Sequence, residues 1–433
     1  MSIFTEFESS VRSYSRSFPT VFASAEGAEI FDESGTRYLD FFSGAGSLNY
    51  GHNHPVLKTA LLDYVNRNGI LHGLDMSTVA KRDFIATFQR KILEPRGLEY
   101  KIQFTGPTGT NANEAALKLA RKITGRHNII SFTNAFHGVS LGSLSATGSQ
   151  YMRAAAATAL PGVTFMPYCG YMGDELDSLR YMKKVLSDKS SGVDAPAAVI
   201  VETVQAEGGV NVASTEWLRK LQSICHEHGC LLIVDDIQAG CGRTGPFFSF
   251  EWCDGFSPDI VTLSKSLSGY GLPFSLVLMR PELDAWKPGE HNGTFRGNNL
   301  AFVTATAAIE HFWSENSFEK ETGEKGRFVE DLILDSFDEE IARTIELRGR
   351  GLMLAVDCQV STLSSRIARQ CFEKNLIIET SGPDDEVVKI LPPLTITAEE
   401  LREGVTILCS AINEQVKAAT NEEKEGLLRE ASE

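Results

Sequence analysis

The 433 residues contain no pair of cysteines at the Cys-x-x-Cys spacing. The eight cysteines stand apart, at 169, 225, 230, 241, 253, 358, 371 and 409. That excludes zinc-ribbon and thioredoxin-type centres and fits reduced, mostly buried thiols. His52-Asn53-His54 and His226-Glu227-His228 have no second ligand cluster at a recognised spacing, so no metal site is expected. Positive charge is scarce: 41 Lys and Arg face 57 Asp and Glu, a formal net charge of −16. A chain so acidic is a poor partner for nucleic acid. The acidic excess reads as solubility, with adaptation to a salty cytoplasm as the alternative. No apolar run is long enough to span a bilayer. Residues Met1 to Thr20 lack the basic region and apolar run of a secretory signal, so a cytoplasmic location and no membrane partner are expected. Internal repeats and long low-complexity segments are also missing. The charged tail beginning at Asn421 is expected to be a frayed helix or disordered.

What is present is ample apolar material, 42% of residues, and enough length for more than one domain. The middle of the chain alternates short β-branched runs with helical patterns. Strands are expected at 102–105, 128–132, 163–166, 197–202, 231–235, 259–263 and 274–279. Helices are expected at 112–123, 176–186 and 214–228, the last capped by Ser214 and stopped by Gly229. Continuous apolar strands alternating with helices imply an α/β domain with a largely parallel sheet covered on both faces. The ends read differently. Residues 28–32 and 37–40 form an antiparallel pair around Glu33-Ser34-Gly35. The region after 315 is charged and helical, clearest at 319–339, with short strands at 351–357, 376–379 and 387–391. The expected organisation is a large domain over 56–315 and a smaller α+β domain built from 1–55 and 316–433.

Four segments carry chemistry. Lys265, in Thr262-Leu263-Ser264-Lys265-Ser266, ends a buried strand, where lysines almost never sit unless paired. A desolvated ε-amine loses its proton more easily and becomes a nucleophile able to form a Schiff base with an aldehyde. Asp235 ends another apolar strand, so its carboxylate points into the crevice where α/β proteins bind ligands. A solvated strand end is the alternative for Asp235 taken alone. Phe104 to Glu114 runs from a strand through a Gly- and Thr-rich turn into an Ala-rich helix, whose free N–H groups suit a phosphate. It is not a Walker loop, because no Gly-Lys-Ser/Thr follows. Phe136, in Ala135-Phe136-His137-Gly138, either lies flat on a ring-shaped ligand or is plain core. An amine, an acid, a phosphate cradle and a stacking ring are the parts a pyridoxal phosphate site needs.

With these residues in view, the sequence resembles the class III, or ω-, aminotransferases among the fold type I pyridoxal phosphate enzymes. The resemblance runs from about Val21 to Leu401. Its most specific stretch is Val234-Asp235-Asp236-Ile237-Gln238-Ala239-Gly240-Cys241-Gly242-Arg243-Thr244-Gly245, similar to the family's Asp-Glu-x-Gln-x-Gly…Arg-Thr-Gly signature. The resemblance implies that Lys265 holds the cofactor aldehyde, that Asp235 pairs with the ring nitrogen and that Gln238 contacts the ring hydroxyl. It implies that Gly109 and Thr110 bind the phosphate and that Phe136 stacks on the ring. Thr294, in Gly293-Thr294-Phe295-Arg296-Gly297, resembles the threonine that reaches a neighbouring subunit's phosphate, which implies a homodimer with shared active sites. Within the family, 104–111, 264–273 and 289–299 resemble most the branch that serves ectoine biosynthesis. That branch transfers the amino group of L-glutamate to L-aspartate 4-semialdehyde, giving L-2,4-diaminobutyrate and 2-oxoglutarate. Aminotransferases of ornithine, acetylornithine or 4-aminobutyrate are the alternative within the class. A non-catalytic α/β ligand-binding protein is the alternative outside it.

The sequence departs from the wider family at three places. Asp236 stands where a glutamate is usual, and Asn111 where an acid is common. Lys389, in Val388-Lys389-Ile390-Leu391-Pro392-Pro393, stands where relatives carry an arginine that grips the glutamate carboxylate. Lysine lacks the bidentate fork of arginine, so the grip should be looser or shared, with Arg296 as a second cation. Glu207 matches the glutamate with which that arginine pairs, so Glu207 and Lys389 are expected to form a two-substrate switch. The alternative is that Lys389 is an ordinary surface lysine.

Overall fold

In a computed structural model, which describes residues 3–173, 176–337 and 339–419, the expected alternation becomes one seven-stranded sheet. Its strands are β4 (Lys101–Phe104), β5 (Asn128–Phe132), β6 (Val163–Met166), β7 (Pro196–Val201), β10 (Leu231–Asp235), β11 (Ile260–Leu263) and β12 (Leu276–Met279), in the order β4-β12-β11-β10-β7-β5-β6. All residues of β5, β7, β11 and β12 are buried, which is why these strands read as unbroken apolar runs. Only β12 runs against the rest. The chain between β11 and β12 holds a single 3-10 turn, Lys265–Ser268, in place of the helix that a parallel crossover needs. The helices Gly109–Thr124, Ser178–Ser187 and Thr215–His228 cover the sheet, the last with the expected Ser214 cap and Gly229 stop.

Both ends of the chain share a smaller unit. Strands β1 (Phe22–Glu26), β2 (Glu29–Asp32) and β3 (Arg37–Asp40) are antiparallel neighbours, and β15 (Leu376–Ile377) joins them parallel to β3. A second sheet pairs β13 (Glu346–Arg350), β14 (Met353–Asp357), β17 (Val387–Ile390) and β16 (Glu379–Ser381). Between them in sequence, β8 (Val204–Gln205) and β9 (Asn211–Val212) form a short ribbon. The expected single strand at 376–379 is two strands in two sheets. The chain changes partners at Ile378, and Glu379 comes to lie opposite Lys389. The charged helix expected at 319–339 spans Ser317–Asp335.

Several helices escaped the periodicity reading. Pro55–Asn66 carries exposed Val56, Leu62 and Val65, which blur its apolar stripe. Asn299–Phe312 is apolar around most of its circumference, so no stripe stands out. All eight cysteines are unpaired, and seven are buried. Among the described residues no helix is long and apolar enough to cross a membrane. The tail from 420 onward, expected to fray, lies outside the described residues.

Candidate active site

Parallel strands deliver their carboxyl ends to one edge of the sheet, and the residues just past those ends converge there. Asp235 ends β10, Lys265 follows β11, the helix Gly109–Thr124 follows β4, and Phe136 follows β5. Glu202, just past β7, belongs to the same rim. Gly109, Thr110, Phe136, Glu207, Asp235, Gln238 and Lys265 line one cleft.

Asp235 is buried and its carboxylate is aimed by several donors. Oδ2 accepts from Asn113 Nδ2 at 2.7 Å and from His137 Nδ1 at 2.8 Å. Oδ1 accepts from the Ile237 amide at 3.2 Å. Thr262 stands beside Asp235 in the β10–β11 register and gives its hydroxyl hydrogen to Asn113 Oδ1 at 2.9 Å. Among the described residues, His137 Nε2 is buried without a hydrogen-bond partner. The network orients the acid into the cleft, so the solvated strand-end alternative does not hold.

Lys265 opens its turn at φ +52°, in the left-handed region, a conformation worth about 1–3 kcal/mol of strain in a non-glycine residue. Ser264 and Ser266 hold the turn through bonds to the carbonyls of Phe274 and Gly46, both at 2.8 Å. Lys265 Nζ donates to the Ala45 carbonyl at 2.7 Å. Burial pulls its amine down to about 8, further than Glu207, Glu379 and Asp235 can raise it. Gln238 Nε2 reaches the same Ala45 carbonyl at 3.1 Å and Glu207 Oε1 at 3.0 Å. Among the described residues nothing donates to the buried Gln238 Oε1, an acceptor on the cleft wall.

The turn at Gly109 and Thr110 is shaped by missing side chains. A Cβ on Gly109 would meet Ile237 at 2.9 Å, and one on Gly138, at φ +116°, would strike Thr110 Oγ1 at 2.5 Å. Asn111, in place of the family's acid, closes a capping box by accepting from Thr108. Phe136 is half-buried on the cleft wall, and its amide donates to Glu202 Oε2 at 3.0 Å. Burial and the neighbouring Asp235 push the Glu202 carboxyl well above the usual range. Glu202 was missed by sequence reasoning, although it ends an apolar strand just as Asp235 does.

Lys389 is fully buried, so it is no surface lysine. Its Nζ lies 2.8 Å from Glu207 Oε1 and 2.9 Å from Glu379 Oε1. Burial opposes its charge, but Glu207 and Glu379 more than compensate and raise it above the ordinary lysine value. Burial also pushes the Glu207 carboxyl up, yet Lys389 and Lys265 hold it down at about 2. Glu379 escapes in the other direction, pushed up to about 7 by burial. The Tyr14 hydroxyl feels the same acids: burial, Glu379 and Glu207 push it up to about 12. No pattern in the sequence marked Glu379 or Tyr14. Their relevance comes from strand register and from the packing of the N-terminal segment.

Three expected residues do not line this cleft: Thr294, Arg296 and Lys389, the last buried behind its wall beside Glu207. Thr294 is exposed on the loop before the helix Asn299–Phe312. Arg296 lines a separate pocket with Asp75 and Lys81, 3.9 Å from the Asp75 carboxylate, and within this chain it does not meet Lys389. Arg243 of the signature is also outside the cleft. Its buried guanidinium binds Asn49 Oδ1 at 2.6 Å and the carbonyls of Leu352 and Pro392 at 3.0 and 2.6 Å, tying both chain ends to the large sheet.

Comparison with known proteins agrees with this arrangement. The family model described as aminotransferase class-III matches residues 11–412. An uncharacterized aminotransferase, y4qG, of Sinorhizobium fredii is 56% identical over 94% of this chain and 91% of its own. The diaminobutyrate–2-oxoglutarate transaminase of Streptomyces avermitilis is 57% identical, covering 96% of this chain and 98% of its own. Among solved structures, the ornithine aminotransferase of Toxoplasma gondii crystallised with oxidised glutathione superposes with a TM-score of 0.82 at 26% identity. The match covers 97% of this chain and 94% of that one, and that structure has pyridoxal phosphate at partial occupancy in its active site.

Proposed function

This chain belongs to the class III aminotransferases, and from that premise we propose that it transfers the amino group of L-glutamate to L-aspartate 4-semialdehyde, producing L-2,4-diaminobutyrate and 2-oxoglutarate. The observation that carries the substrate reading is the near full-length similarity, at 57% identity, to relatives named diaminobutyrate–2-oxoglutarate transaminase. The ornithine enzyme of known structure is far more distant, at 26%.

The cofactor of the class is pyridoxal 5′-phosphate, and the cleft fits it. The orphaned Gln238 Oε1 suits a ring hydroxyl, and the glycine-shaped turn at Gly109 and Thr110 suits a phosphate. Asp235 would face the ring nitrogen, Phe136 a ring face, and Lys265 the aldehyde. When bound, the cofactor supplies that aldehyde and a ring that withdraws electrons from the substrate carbon bearing the amine. The chain supplies the rest. Asp235 keeps the ring nitrogen protonated. Lys265 Nζ takes the proton from the substrate carbon and returns it on the other side of the exchange. Lys389 binds a substrate carboxylate once Glu207 turns aside, and pairs with Glu207 when the substrate end carries no carboxylate to bind.

A half-reaction panel tests the substrate. L-2,4-diaminobutyrate and L-glutamate are expected to bleach the cofactor's visible band at least ~10-fold faster than ornithine, the discrimination that one misfitting methylene supports, and faster than 4-aminobutyrate, which has the same chain but lacks the α-amine. A faster reaction with ornithine, acetylornithine or 4-aminobutyrate would replace this substrate and remove the assignment to ectoine biosynthesis. With the assignment go its cytoplasmic location and osmoadaptive role.

The proposed assembly is a homodimer with shared active sites. It is supported by exposed Leu62, Val65, Ile70, Leu71, Leu74 and Met76, a concentration of apolar surface unusual for a monomer. It is also supported by Thr294, which is exposed and does not line its own cleft. Sedimentation of the active holoenzyme should give a dimer or larger; a fully active monomer would sink the shared-site reading. The proposed division into a large domain over 56–315 and a smaller one from both ends is supported by the pairing of β15 with β3.

A further inference from the structure

The exchange described above needs one acid opposite Lys389, yet the structure provides two. They differ in how they are held. Glu207 stands in the turn between β8 and β9, next to Gly208 and Gly209, and its side chain is 28% exposed. Glu379 is 9% exposed, and its backbone sits in β16 directly across from Lys389 in β17. Lys389 itself is anchored, with buried Val388 and Ile390 on either side in β17 and Ala355 as its partner in β14. Glu207 is therefore the acid that has room to leave, and Glu379 the one that does not.

This asymmetry matters for a buried lysine. When Glu207 turns aside to admit a substrate carboxylate, Lys389 would be left without a counter-charge in a desolvated site. A buried ammonium in that state sheds its proton, and a neutral amine cannot hold a carboxylate. We propose that Glu379 is a positioning residue, the fixed counter-charge that keeps Lys389 protonated and in place while Glu207 moves. The proposal rests on the reading of Lys389 as the carboxylate anchor.

The other charged groups around the pair do not take this role. Lys265 is a second cation at the far side of Glu207 and works against the charge on Lys389. Tyr14 stays protonated and offers no negative charge. Arg348, near the Gly209 turn, is already paired with Asp357 and Asn211.

The pH profile separates this role from a merely structural one. Burial pushes Glu379 up to about 7 with Glu207 beside it, so its negative charge is progressively lost as the pH falls. Glu379→Gln should then match wild type in KM for L-glutamate at pH 6. The ratio should rise to roughly tenfold or more at pH 9, as Lys389 loses its proton without help. kcat should change little. The half-reaction with 2,4-diaminobutyrate, in which Glu207 stays on Lys389, should also change little. Calorimetric binding of glutarate, an unreactive dicarboxylate, should weaken in the same pH-dependent way. Glu379→Gln combined with Lys389→Arg should lose the pH dependence, because a guanidinium stays charged unaided. If Glu379→Gln does not fold, Glu379→Asp decides. It keeps the charge and should bind glutamate with no new pH dependence, and a new dependence in it counts against the proposal. Equal losses for glutamate and diaminobutyrate at every pH would also overturn it. So would an unchanged glutamate KM in Glu379→Gln across pH 6 to 9 while Lys389→Ala raises that KM. If Lys389→Ala leaves glutamate KM unchanged, the anchor reading fails, and this proposal with it.

Discussion

Lys265→Ala is expected to remove transamination, with kcat down by roughly 10⁴-fold or more, the upper end of what a positioned proton-transfer group supplies. The expectation follows from how the structure treats this amine. Burial brings it down to about 8 from an ordinary value of 10.5. At pH 8 about half of it is then neutral, against roughly 0.3% for an ordinary lysine. Only the neutral amine attacks an aldehyde or accepts a proton, so the site holds a population of reactive base that solvent would not. Among the described residues the side chain makes one hydrogen bond, to the Ala45 carbonyl. Its loss should leave the fold intact. Circular dichroism and a thermal melt close to wild type, together with loss of the borohydride-sensitive visible band and of turnover in both half-reactions, would support the assignment. Retention of more than a few per cent of activity would place the chemistry on another residue.

Asp235→Ala is expected to be the next most damaging change, with kcat/KM down by roughly 10²–10³-fold. That corresponds to about 3–4 kcal/mol, of the order that removal of one partner from a buried charged pair costs. The loss should appear mainly in kcat, because Asp235 assists charge that develops during reaction, while the turn at Gly109 and Lys265 still hold the cofactor. Asp235→Asn should be nearly as poor. An amide placed there must turn its NH2 either toward Asn113 Nδ2 and His137 Nδ1, which share Oδ2, or toward the Ile237 amide at Oδ1, all of them donors to the present carboxylate. Cofactor uptake followed by absorbance, and steady-state kinetics at saturating cofactor, check the two effects separately. An Asp235→Ala enzyme within fivefold of wild type would refute the ring-nitrogen role.

The strand ends were the legible part of the site. Lys265 and Asp235 each close an apolar run, and such runs name both the strand and the end that faces the ligand crevice. The turn at Gly109 and Thr110 is also local, a strand–turn–helix within a dozen residues. Glu202 carried the same signal and went unread. The acids around Lys389 were only half legible. Glu207 came from the family pattern. Glu379 lay in a segment read as one strand, 376–379, which the fold splits between two sheets. Ten residues separate Glu379 from Lys389 in the chain, and their opposition depends on the hairpin register, which no local pattern specifies.

The sequence by itself marked the proposed amine, the proposed acid and the turn proposed for a phosphate, and it carried the pattern of the class III aminotransferases to which the chain belongs. Those properties follow from short-range patterns, because the period of side chains along a strand or helix is set by backbone geometry. The tertiary structure alone decided how the charges are shared. It placed Lys389 out of water between two carboxylates, moved Arg296 to a different pocket, and left Glu379 fixed while Glu207 has room to turn. A charge acquires its energy from its neighbours and from the water it has lost. Both are properties of residues far apart in the chain, so they appear only when it is folded.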